Sequence, residues 1–334
     1  MGKAMLNKSR FFGGMVLFCS FVFGWLWMDY QSAVTIPVAD SAVAIEIEKG
    51  DSFNRITQKL LDRNVRLKPL WFKVFAYRNH LAGQLKAGDY EIKKGATAPD
   101  ILALLVSGKT RQYAITFPEG WSFKQILEKI QNTPYLQKTV AEPEAIMHQL
   151  SMEHRHPEGQ FFPDTYFFEK NTTDLALLKR AYDQMQLILN EEWQQKQEGL
   201  PLESPYQALI LASIIEKETS VVEERPLIAG VFIRRLIKHM PLQTDPTVIY
   251  GMGDDYQGDI RNKDLKAATP YNTYVIKGLP PTPISMPGRE AIHAALHPAP
   301  GKSLYFVAKG DGSHVFSATL KEHNKAVALY QLKQ

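Results

Sequence analysis

An uncharged apolar run from Phe11 to Met28 constrains this chain more than any other feature. Its length is near the lower bound of about 17–25 residues for a helix crossing a bilayer core. Lys3, Lys8 and Arg10 precede the run, and Asp29 follows it. Trp25, Trp27 and Tyr30 gather at its far end. Basic residues favour the cytoplasmic side, and aromatic rings favour the membrane–water interface. The pattern predicts a cytoplasmic tail over 1–10 and a single-pass helix over 11–30 of the inner membrane. The body is then periplasmic. A cleaved signal peptide is the alternative. Its apolar run would be shorter and end in small residues. Gly24 to Tyr30 is bulky and aromatic, and only a weaker cut near Ser32-Ala33 offers itself.

The 334 residues are 45% hydrophobic and 22% charged, enough for about two domains with real cores. Net charge is +4 without a dominant Lys/Arg block, which argues against nucleic-acid binding. The single cysteine, Cys19, lies in the apolar run, so the body holds no disulfide and no thiolate metal site.

After a polar linker over 31–43, one pattern occurs three times. An alternating segment reaches a glycine, then Ser or Thr, then a helical run. The copies are Ala44–Ile47 with Gly50, Ser52 and Phe53–Leu61; Tyr90–Ile92 with Gly95, Thr97 and Ile101–Leu105; and Tyr113–Phe117 with Gly120, Ser122 and Phe123–Ile130. Period-two alternation gives a half-buried strand, glycine permits the turn, and the hydroxyl caps the helix. Ser122 with Gln125, and more weakly Thr97 with Asp100, have capping-box spacing. Residues 44–110 loosely resemble LysM, a module that binds glycans containing N-acetylglucosamine. The alternative is a packing subdomain that spaces the body from the membrane.

Residues 131–205 are less regular. Gly159–Tyr166 is an aromatic segment with a Pro-Asp turn, and Thr173 caps a helix that continues as a polar-faced run to Gln197. His154 and His156 flank Arg155 in a polar loop. They lack further ligands at metal-site spacing, so no metal is expected.

Gln207–Thr219 reads QALILASIIEKET. It is apolar almost all round, as a buried helix requires. Glu216 and Glu218 project about 200° apart on such a helix and cannot work as a pair on one face. Glu218 lies over Leu211, Ile214 and Ile215, the more apolar surroundings. Burial raises a carboxyl's pKa, and a raised pKa suits a general acid near neutral pH. The competing reading is a glutamate paired with Lys217 or Arg225 at a helix end. Downstream, Pro241 and Pro246 bracket Gln243, Thr244 and Asp245 in a fixed, non-helical segment. These side chains either face sugar hydroxyls or cap their own turn. Pro270–Tyr274 and Gly278–Gly288 are too proline-rich for helix or central strand, and loops of this kind line clefts. There Tyr271 and Tyr274 offer faces for sugar rings, beside Asn272 and Thr273. Ser303–Ala308 and His314–Phe316 form a hairpin, and Glu322–Leu332 a closing helix.

ASIIEKET at 212–219, LQTDPTVIYG at 242–251, PYNTY at 270–274, GLPPTPISMPG at 278–288 and HVF…EHN at 314–324 closely resemble the YceG-like endolytic murein transglycosylases. Thr282 departs from the family's frequent Gly, and Ser285-Met286 from its Ala-Asn. The resemblance implies an α+β protein with one N-terminal transmembrane helix, the LysM-like subdomain over 44–110 and a catalytic domain over 111–334. It implies a lyase without cofactor that cuts peptidoglycan glycan strands, with Glu218 as catalyst. Glu218 would protonate the oxygen of the β-1,4 bond between N-acetylmuramic acid and N-acetylglucosamine. It would then take the proton of the muramic 6-hydroxyl as the 1,6-anhydro ring closes. Such cuts would terminate nascent strands beside peptidoglycan synthases. Two other readings stay open: a muramidase-type hydrolase using Asp245 or Asp164 as a second carboxylate, and a non-catalytic, membrane-tethered glycan-binding protein.

Overall fold

The computed structural model describes residues 2–139, 143–150 and 155–331. His154 lies outside them. The chain forms two compact units, Met1–Tyr113 and Ala114–Gln334. The architecture is mixed α+β, with three two-stranded sheets among the described residues.

The first unit begins with helix α1, Gly2–Thr35. Phe11–Thr35 is long and apolar enough to cross a membrane. Phe11, Leu17 and Phe21 point outward, with no protein packed over them. The helix runs into the segment expected as a linker, and Ala33, Val38 and Ala39 are buried there. The cause is packing: the end of α1 lies against two later helices, and small side chains allow the approach. Next come β1 (Val43–Ile47), α2 (Phe53–Asp62), α3 (Pro69–Arg78), β2 (Gly88–Ile92) and α4 (Ala98–Ser107). β1 and β2 pair antiparallel, from Val43 opposite Ile92 to Ile47 opposite Gly88. Alternation turns Ile45, Ile47, Tyr90 and Ile92 inward, against Leu60, Phe72, Ile101 and Leu105 from the helices. Ser52 caps α2, and Thr97 with Asp100 forms a complete capping box on α4.

The sequence pattern did not indicate α3, because most of its positions are apolar and periodicity is weak. Pro69 in its first turn is the one local signal. The indole of Trp71 donates to Asp29 at 2.6 Å, and Lys68 pairs with the same carboxylate. Both contacts tie α3 to the end of α1.

Strand β3 (Gln112–Thr116), in which the boundary between the units falls, pairs with β4 (Thr165–Glu169). The second unit adds α5 (Phe123–Gln131), α6 (Pro143–Gln149), α7 (Asp174–Gln194), α8 (Pro205–Glu218), α9 (Arg225–Ile237), α10 (Asp245–Met252) and α11 (Arg289–Leu296). A hairpin of β5 (Tyr305–Ala308) and β6 (His314–Ser317) and the helix α12 (Leu320–Tyr330) close it. Helix α8 is the axis of the core. Ala208 through Ile215 are all buried, with α7, α9, α10 and α11 packed around them. That surrounds an all-apolar helix with the partners it requires. Residues 270–288 run without regular structure apart from turns. Ser213 stitches them to α8: its Oγ accepts the Ile284 N–H at 3.0 Å, and its carbonyl accepts Ser285 Oγ–H at 3.1 Å.

Two expectations need correction. Asp245 is the first residue of helix α10, not part of a non-helical segment, because Pro246 in the first turn lacks only an N–H that has no partner there. Residues 165–169 are a strand, with Tyr166 and Phe168 turned inward, where the aromatic density suggested only a turn.

Candidate active site

Helix α8 ends in three charged residues that fan out in three directions. Glu216 turns back onto the protein. Its Oε1 accepts Arg225 Nη2 at 2.8 Å, and its Oε2 accepts the Gly288 N–H at 3.0 Å. Both side chains of that ion pair are only 6% exposed, so each compensates the other's buried charge. Lys217 donates to the Gly120 carbonyl at 3.2 Å. The Arg225 pairing foreseen for one glutamate therefore falls to Glu216.

Glu218 has no cationic partner among the described residues. It accepts a hydrogen bond from Thr244 Oγ1 and opens onto a cleft of about 480 Å³. Burial pushes its carboxyl up to about 7, with Asp245 adding to the rise and Thr244 opposing it. A second cleft of about 450 Å³, lined by Glu119, Gly120, Lys217, Ser220 and Arg225, also reaches Glu218. Glu218 thus lines two hollows of this unit.

Gln243, Thr244, Asp245 and Tyr274 line the larger cleft with Glu218. Gln243 adopts φ +50, a conformation rare for residues with a Cβ, and its Oε1 accepts Arg235 Nη1 at 3.1 Å. Asp245 Oδ1 accepts the Tyr274 hydroxyl at 2.6 Å. Burial and that carboxylate hold the phenol's pKa above its ordinary value, so Tyr274 stays a donor.

The other expected residues face elsewhere. Asn272 is 1% exposed and serves its own loop. Its Nδ2 donates to the carbonyls of Asp264 and Ala267, and its Oδ1 accepts the Tyr274 N–H. Buried Thr273 accepts the Thr244 N–H at 3.1 Å and shares a hydrogen bond with Thr247 at 2.8 Å. Tyr271 meets Thr282 through its hydroxyl and packs edge-on against Tyr250. Asn272 and Thr273 hold the backbone of Tyr274 and Thr244 from behind. Asp164 lies at the start of β4, accepting the Thr165 N–H at 2.6 Å, and does not line the cleft.

Several cleft residues were missed from sequence: Arg235, Tyr305, His314 and His323. Arg235 follows Phe232 and precedes Leu236 on the apolar side of α9, and a charge in that position was a usable signal. His314 is aligned by Glu224, which accepts from its N–H at 2.9 Å and meets its Nδ1 at 2.6 Å. Glu158 was missed too. Burial drives its carboxyl up to about 7, but it is held by the Phe123 N–H and the Tyr250 hydroxyl and lines neither cleft.

Among the described residues, one cluster has metal-ligand chemistry: Glu192, His293 and His297. Most of its ligand atoms are already engaged. Arg289 and His293 take the two oxygens of Glu192, and His297 meets the carbonyls of His293 and Gln195. The cluster fastens α7 to α11, outside the cleft.

A carboxyl with a pKa near 7, with no cationic partner among the described residues and open to a cleft, is equipped to give a proton and take one back. The fold around it has known counterparts. Residues 45–329 match the YceG-like family. The chain is 35% identical to the endolytic murein transglycosylase of Bacillus subtilis, over 90% of this chain and 89% of that protein. It is 29% identical to the endolytic murein transglycosylase of Streptococcus pneumoniae, covering 91% of this chain and 62% of that longer protein. A crystal structure of a yceG-like protein from Listeria monocytogenes superposes with a TM-score of 0.54 at 29% identity, over 86% of this chain and 99% of that one. The chain belongs to the YceG-like family.

Proposed function

We propose that this protein is an endolytic murein transglycosylase, a lyase that cuts peptidoglycan glycan strands with Glu218 as its acid and base. The observation that carries the assignment is the state of Glu218: a carboxyl lifted to about 7, with no cationic partner among the described residues, in a side chain that lines two clefts. Near neutral pH its protonated and ionised forms are both well populated. The protonated form donates to the glycosidic oxygen between N-acetylmuramic acid and N-acetylglucosamine. The ionised form then accepts the proton of the muramic 6-hydroxyl as that oxygen closes on C1 to give the 1,6-anhydro end. No water enters, so one carboxyl suffices. Thr244 fixes the carboxyl's orientation, and Gln243, Asp245 and Tyr274 supply polar groups to the sugars. Glu218 lines both hollows, and an open cleft of this kind suits a cut inside a strand.

The long apolar helix supports a single-pass anchor with the basic N-terminus in the cytoplasm and the body in the periplasm. The anchor would keep the cleft near emerging strands and the synthases that make them. The β–α–α–β order of β1, α2, α3 and β2 supports a LysM-like module that holds glycan, with residues 111–334 as the catalytic domain.

Asp245 in the same cleft favours one competing reading, a hydrolase with two carboxylates. Mass spectrometry of digested sacculi separates the two. Anhydro-muramic ends, lighter than reducing ends by one water, are the expected product. Reducing ends alone would sink the lyase.

A further inference from the structure

Arg235 lines the Glu218 cleft, and no step above uses it. It is 6% exposed. Its Nε donates to the Leu304 carbonyl at 2.7 Å. Its Nη1 is shared among the carbonyls of Pro241 and Leu242 and Oε1 of Gln243. All of these acceptors are neutral. No carboxylate pairs with the guanidinium among the described residues. The Tyr305 ring lies 5.1 Å from its central carbon, which attracts the cation without cancelling its charge. Of the other titratable groups on this wall, His323 is held toward its neutral form by burial and by Arg235 itself. Asp245 is engaged by Tyr274, and His314 by Glu224.

The Nη2 atom makes no hydrogen bond, yet it is not among the buried unpaired atoms. The atom therefore keeps some exposure, on a side chain that lines the cleft. A buried charge without a counter-ion is costly, and the cost falls when an anion arrives. A guanidinium with two free donors matches a carboxylate in shape as well as charge.

We propose that Arg235 anchors a carboxylate-binding subsite in this cleft, which reads an acidic group carried by the muramyl residue of the strand. The inference rests on the murein transglycosylase reading and narrows its substrate to strands bearing a free carboxylate near the cut. That group comes either from the stem peptide or, on stripped strands, from the lactyl ether. The structural alternative is that Arg235 only clamps the loop over 241–243 to β5.

The test uses the full-length enzyme in detergent and four substrates. These are uncross-linked strands with their peptides, the same strands with carboxylates converted to carboxamides, amidase-stripped strands that expose the lactyl carboxylate, and stripped strands amidated there. For the parent, KM is expected to be about tenfold or more lower for the acid than for the amide form in at least one pair, with kcat little changed. A response in the peptide pair assigns the stem carboxylate; a response in the stripped pair assigns the lactyl group. In Arg235→Gln the amide-to-acid KM ratio should fall to one. Arg235→Lys keeps a cation but loses the forked donor, so its ratio should fall to about threefold. This second variant decides the matter if the Gln protein does not fold. A parent that makes anhydro ends from acid and amide substrates with equal KM overturns the subsite and leaves the transglycosylase intact. A ratio undiminished in both variants overturns it as well. Absence of anhydro ends on all four substrates overturns the transglycosylase reading and the subsite with it.

Discussion

The raised carboxyl of Glu218 must tax the stability of the folded chain, and Glu218→Gln should reveal by how much. A glutamate whose pKa rises from 4.5 to about 7 on folding resists ionisation in the native state. In the unfolded chain it ionises freely. Its contribution to stability is therefore fully present below pH 4.5 and is lost as the pH rises through 7. At about 1.4 kcal/mol per tenfold change in the ionisation constant, the loss reaches roughly 3 kcal/mol above pH 8. Water reaching the carboxyl through the cleft reduces this to between about 1 and 3 kcal/mol. Glutamine keeps an acceptor for Thr244 and carries no charge. The variant and the parent should then be equally stable at pH 4, and the variant more stable by about 1–3 kcal/mol at pH 8.5. Urea unfolding followed by tryptophan fluorescence at several pH values gives the difference directly. Glu158 titrates in both proteins, so its effect cancels. A stability gap that does not change with pH would refute the reasoning, as would a variant that is less stable at pH 8.5.

Other outcomes follow from the same contacts. Thr244→Val removes the donor that favours ionised Glu218, so the pH–rate profile should shift to higher pH and turnover near neutrality should fall about tenfold; an unmoved profile would separate Thr244 from the carboxyl. Arg225→Met leaves Glu216 buried and uncompensated and should cost about 3–5 kcal/mol in urea unfolding, whereas a loss below about 1 kcal/mol would mean that water reaches the pair. Asn272→Ala frees two carbonyls and one N–H of its loop and should destabilise the protein by about 1–3 kcal/mol. An unchanged midpoint joined to a raised KM would instead make Asn272 a ligand of the substrate.

Much of the local structure could be read from the chain because the relevant signals are themselves local. Ser52, Thr97 and Ser122 each precede their helix and cap it, and alternation located β1, β2 and the final hairpin. What escaped depends on contacts distant in sequence. The α3 helix is fixed by Asp29, some forty residues earlier, which holds Lys68 and Trp71. The geometry separating Glu216 from Glu218 follows from helical pitch, but the partners that give each its character, Arg225 with Gly288 and Thr244, come from other elements. Asn272 and Thr273 show the converse. Their polarity suggested ligands for sugars, whereas backbone groups brought close by the fold occupy both side chains. Arg235 reaches the cleft only because α9, the loop after it and β5 converge there.

The most direct test of Glu218 as the acid and base is product analysis of sacculi treated with the parent and with Glu218→Gln side by side. Unfolding curves run on both proteins establish that the variant is folded. The parent should release strands with anhydro-muramic ends, and the variant should release essentially none. A folded variant that forms those ends at the parent's rate would contradict the role assigned to Glu218.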